Sequence, residues 1–173
     1  MCENSERAFT EGNSALDSLS ATHPDLGGYA GAQYQIGITA LYLLLSEALI
    51  ERRELTSAFD FISRGLQTTE RTNERLFEGE FLRLQAHALL AQGALGAAEN
   101  AQVALQKALM IARSQHARSL ELRAARDLAK LWLDRDRREE ARDLLAPIYG
   151  WFTQGFDTLD LKEAKALLDE LAA

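Results

Sequence analysis

The chain has 173 residues, with 19 Lys and Arg against 26 Asp and Glu, a formal charge of −7 at neutral pH. That balance repels phosphate backbones and argues against general nucleic-acid binding, while 47 % hydrophobic residues argue against disorder by composition. Cys2 is the only cysteine. An internal disulfide and a thiolate metal site are therefore excluded, and a reducing cytoplasmic setting is expected.

The opening residues MCENSERAF are polar, with no apolar signal core. The longest apolar run, 37–50, contains Ser46 and Glu47 and falls short of the roughly 20 residues a membrane span needs. It reads as a buried core helix, and no membrane contact is expected.

Apolar spacing is helical almost everywhere. The first predicted helix covers 3–19, with Ala8, Phe9, Ala15, Leu16 and Leu19 on one face. Residues 20–28 read as a loop, broken by Pro24 and two glycines. Further helices are expected over 30–52, 56–72, 75–92, 97–115, 118–135, 137–152 and 160–171. The seventh contains Pro147, which should kink it. Asp136 stands three residues before Glu139, the spacing of a capping box. Asp160 and Glu163 share that spacing, with Thr158 as the alternative cap. The run RDRREEARD reads as a solvated helix start, with Arg135 and Glu139 four apart.

Self-similarity is the most informative feature. Ala58–Ile62–Gly65, Ala101–Leu105–Ala108 and Ala141–Leu145–Ile148 recur at spacings of 43 and 40 residues. Each triplet follows a helix in which small residues are flanked by large ones: Tyr42–Leu45–Ser46–Leu49, Leu82–Ala86–Leu89 and Ala125–Leu128–Ala129–Trp132. Antiparallel helices approach closely only where small side chains meet. A single pair cannot bury both of its faces, so pairs stack. The expectation is an all-α, antiparallel helix-pair solenoid of the tetratricopeptide (TPR) type, with seven to eight helices and a period longer than the usual one of about 34 residues. The chain forms one domain, 1–173. It comprises a lone helix at 1–20, pairs at 30–72, 75–115 and 117–152, and a capping helix at 158–173.

The stretch ALYLLLSEALIERRELTSAFDFISRGLQTTERTNERLFEGEFLRLQAHALLAQG (40–93) resembles the C-terminal TPR region of large bacterial signalling proteins. In those proteins a class III adenylate or guanylate cyclase domain, or a winged-helix domain, precedes an AAA-type ATPase domain. LLAPIYGWFTQGFDTLDLKEAKALLDEL (144–171) resembles the end of the same proteins. The resemblance covers 36–173 and departs at Leu159, where the family pattern has proline. It implies a regulatory repeat region, either a fragment of a longer protein or a shortened relative. It transfers no catalytic residue, because the cyclase and ATPase motifs are not in this sequence.

His23, His87 and His116 have no carboxylate or histidine at metal-binding helical spacing, so neither metal nor cofactor is expected. No serine sits in a nucleophile-elbow pattern, and no catalytic residue is assigned. Trp132, Tyr149, Trp151 and Phe152 read as core. The candidate site is basic. Arg83 and His87 share one helix face; Arg123, Arg126 and Lys130 share another, one repeat later. Together they are expected to form a cationic groove for a protein or an acidic peptide. The favoured function is a non-catalytic protein–protein interaction scaffold. The alternative is a peptide or small-molecule sensor controlling an attached cyclase or ATPase domain. A homodimer through the first helix, near Phe9 and Leu16, or through another surface such as the paired terminal helices, is also expected.

Overall fold

The computed structural model describes Ser14, residues 24–72 and residues 75–172. Among these residues the fold is all-helical, without a strand. The helices are α1 (Pro24–Glu51), α2 (Leu55–Thr72), α3 (Glu78–Gln92), α4 (Ala97–Ser114), α5 (Arg118–Leu133), α6 (Arg138–Tyr149) and α7 (Leu159–Ala172). The first predicted helix, and with it the dimer contact near Phe9 and Leu16, lies outside the described residues.

Of the loop expected over 20–28, residues 24–28 are helical, because α1 spans Pro24–Glu51; residues 20–23 lie outside the described residues. Proline suits a first helical position, where its missing N–H would have no intrahelical partner. The apolar body of α1 then runs unbroken to Glu51. Buried Thr39 and Ser46 are satisfied locally, each hydroxyl donating at 2.7 Å to a carbonyl one turn back, Gln35 and Tyr42 respectively. Among the described residues no helix is long and apolar enough to cross a membrane.

All nine residues of the recurring triplets are buried. Ala58, Ala101, Leu105, Ala141 and Leu145 are 0 % exposed. The small residues on the preceding helices, Ser46, Ala86, Ala125 and Ala129, are also fully covered. Small side chains thus mark the helix crossings. A close approach is at Gly65 on α2, where an added Cβ would stand 2.2 Å from Cζ of buried Phe81 on α3.

Short turns make consecutive helices antiparallel, and each helix packs on the next. Alternate helices behave differently on the two sides. The α1–α3, α3–α5 and α5–α7 pairs also touch, whereas α2–α4 and α4–α6 have no Cα pair within 8 Å. The two rows therefore splay, with α1, α3, α5 and α7 gathered on one side.

Three turns share a backbone solution. Arg53, His116 and Asp136 adopt positive φ of 61°, 55° and 58°. The next amide donates five residues back: Glu54 to Leu49 O (2.9 Å), Ala117 to Ala112 O (2.9 Å) and Arg137 to Trp132 O (2.9 Å). This is the Schellman closure, usually built on glycine. Left-handed backbone costs an L side chain energy that glycine avoids. His116 is exposed, so His116→Gly is expected to stabilise the fold by about 0.5–1 kcal/mol, read as a higher urea midpoint at unchanged slope.

The same closure corrects the capping box at Asp136 and Glu139. Asp136 is committed to ending α5, and the N-cap of α6 is Arg137, with no side-chain cap bond. Arg135 pairs with Glu99 of α4 at 2.7 Å rather than with Glu139. At α7 the N-cap position falls to Thr158, whose carbonyl accepts from Lys162 while its hydroxyl donates to Gly155 O. Pro147 lies exposed in the last turn of α6, which ends at Tyr149, short of the expected 152. Trp132, Tyr149 and Phe152 pack on the core as expected. Trp151 does not: it is 56 % exposed, with the Arg118 guanidinium 4.9 Å from its ring.

Candidate functional site

The gathered row brings the sequence-predicted residues together. Arg83 and His87 are one turn apart on α3. Arg123, Arg126 and Lys130 follow one face of α5. The acidic start of α7 faces them with Asp160 and Glu163.

These residues form an ion-pair network rather than a bare cationic strip. Arg83, only 6 % exposed, pairs with Glu80 one turn away at 3.1 Å and reaches Asp127 of α5 at 3.0 Å. His87 Nε2 stands 2.6 Å from the same Asp127 oxygen, Oδ2. Arg123 bridges α7 and α3, with Asp160 at 2.8 Å and Glu80 at 3.4 Å. Arg126 pairs with the other oxygen of Asp127 at 2.8 Å and with Glu163. Lys130 alone of the five has no ion-pair partner among the described residues. The expectation of a free cationic groove is therefore corrected. These arginines approach the low-dielectric interior, where an uncompensated charge is costly, and each has a carboxylate to meet it.

Electrostatics follow from this geometry. Burial alone would raise the Asp127 carboxyl, but the hydrogen bond from His87, and then His87, Arg126 and Arg83 together, hold it well below the ordinary aspartate value of 3.8. Burial likewise opposes the charge of Arg83. Glu80 and Asp127 override it and hold the guanidinium more firmly protonated than usual. A carboxylate so firmly ionised is a poor proton acceptor. Asp127 fixes the His87 ring and ties α3 to α5.

Beside the network runs a groove of about 870 Å³, lined mainly by α1, α3, α5 and α7, with Leu105 of α4. Its floor is apolar, with Ile50, Leu90, Leu131 and Leu167. Its walls carry Glu51, Arg53, Lys130, Asp134 and Glu170, with Arg126, Asp127, Glu163 and His87 at the network edge. No serine, threonine or cysteine side chain is among the lining residues. Among the described residues no three His, Cys, Asp or Glu side chains are grouped to hold a metal.

Sequence reasoning missed the carboxylates of this site. Glu80 stands three residues before Arg83 and was legible as an i,i+3 partner. Asp127 meets Arg83, Asp160 meets Arg123 and Glu163 meets Arg126 across 37 to 44 positions, beyond any local pattern.

No family model matches the chain, and no curated protein and no solved structure matches it either.

Proposed function

We propose that the protein is a non-catalytic protein–protein interaction scaffold, a TPR-type helical-repeat region that serves a bacterial signalling protein. The observation that carries this reading is the groove: a concavity with an apolar floor and charged walls, built mainly from every second helix. Such surfaces are suited to holding a peptide segment, with apolar anchors below and polar groups fixing register. The equivalent burial of the recurring small residues supports the repeat reading. The resemblance of 36–173 to regulatory repeat regions supports the signalling role.

The test is selection of random 12-residue peptides, displayed on phage, against the immobilised chain. Enriched peptides should lose binding to a Leu90→Arg variant, which puts a bulky charge on the groove floor at a position that is 40 % exposed. An unchanged circular-dichroism melt of that variant excludes unfolding as the cause. No enrichment, or enrichment indifferent to the substitution, would overturn the groove as the working surface.

A further inference from the structure

We infer that the groove takes a partner segment in which Lys or Arg residues flank an apolar residue, a specificity that rests on the groove reading above. Three observations carry it.

The first is the inventory of free charge. Arg126 is spent on Asp127 and Glu163, and Arg83 and Arg123 are spent on Glu80, Asp127 and Asp160. What the groove still offers to a ligand is Glu51, Asp134 and Glu170, exposed and without an ion pair among the described residues. Opposing them are Lys130 and Arg53, and Arg53 already donates to Ala91 O. The surplus is negative.

The second is the direction of the helices. The final turns of α1, α3 and α5 and the last half of α7 all contribute lining residues, so the negative ends of four helix dipoles border the groove. Cationic side chains usually offset such ends. The last turns of α1, α3 and α7 contain none, and α5 contributes only Lys130. From outside those turns Arg53 reaches Ala91 O of α3 and Arg138 reaches Glu170 O of α7, so it is chiefly the ends of α1 and α5 that add to the free carboxylates.

The third is the floor. Leu90 is exposed, and Ile50, Leu131 and Leu167 border it. Glu51, Asp134 and Glu170 come from three helices around this floor. A ligand that satisfies both has charge on either side of an apolar side chain, which a simple inorganic cation lacks.

The experiment uses three fluorescent 10-residue probes with identical leucine positions and lysine, glutamine or glutamate at the flanking positions. Fluorescence anisotropy with the full chain should rank them lysine, glutamine, glutamate. Binding of the lysine probe should weaken as salt rises, since exposed charges are screened over about 10 Å at 0.1 M. Asp134→Lys with Glu170→Lys removes two exposed attractions and adds two repulsions. It should cost the lysine probe roughly five- to tenfold in affinity and invert the ranking. Both positions are exposed, so the thermal melt should stay unchanged. A glutamate probe that binds best, or a ranking indifferent to the double substitution, overturns the inference and leaves the groove reading standing. Binding by none of the probes, together with an empty phage selection, overturns both. Sedimentation that shows the double substitution splitting a dimer identifies a second copy as the occupant, and the inference fails.

Discussion

Gly65→Ala is expected to lower the melting temperature by roughly 5–10 °C. Elsewhere in a helix the same change helps, because alanine is favoured over glycine there by about 1 kcal/mol. Here the sign reverses. The new methyl would lie 2.2, 2.3 and 2.7 Å from three ring atoms of Phe81. That ring is 0 % exposed and among the largest fully buried side chains, so it has no open space into which to retreat. Overpacking of this kind typically costs about 1–3 kcal/mol. Phe81→Leu shortens the opposing side chain and should recover part of the loss in the double variant, although on its own it destabilises by opening a void. The coupling between the two positions, read from four urea denaturation curves, should be clearly non-additive. Strict additivity would mean that α2 and α3 do not meet at this crossing.

Arg83→Met should cost more, about 3 kcal/mol or above, because it removes one partner of a buried pair and strands the others. Glu80 loses its closest cation and keeps only Arg123 at 3.4 Å; Asp127 keeps His87 and Arg126. Adding Glu80→Gln removes the stranded charge and should restore part of the stability, which separates desolvation from simple loss of packing. Acid tests the same network. The folded-state carboxyl of Asp127 lies below the ordinary value of 3.8. Its contribution is therefore whole above that value and is lost as pH falls below it. Urea midpoints should decline steeply below about pH 4 in the parent chain. Asp127→Asn should start less stable at neutral pH and decline less steeply over the same range. Parallel pH profiles for the two proteins would rule out Asp127 as an ionised anchor.

Much of the architecture was legible because it rests on side-chain size. Ala58, Ala101, Ala141 and Gly65 announce close helix crossings in any all-helical reading, and they occupy them. The turns were harder. Arg53, His116 and Asp136 hold left-handed backbone without the glycine that signals it, so Asp136 read as a start for α6 when it serves to end α5. Pro24 misled in the same way, since a proline read as a breaker is tolerated in the first turn of a helix. At the site, spacing along α3 and α5 located the cations, but several of their countercharges arrive from other helices. A face that looks cationic on a helical wheel is therefore neutralised in the fold. The free carboxylates at the ends of α1, α5 and α7 carry the remaining charge.

Among the described residues each helix touches only its first and second successors, so contacts stay within neighbouring helices of the chain. Low contact order of this kind speeds folding, and it also weakens all-or-none behaviour. The outer row of α2, α4 and α6 lacks direct ties between its members, so a disturbance at one end need not spread to the other. The chain is expected to unravel from its termini inward, with α3, α4 and α5 as the last amides to exchange with solvent hydrogen.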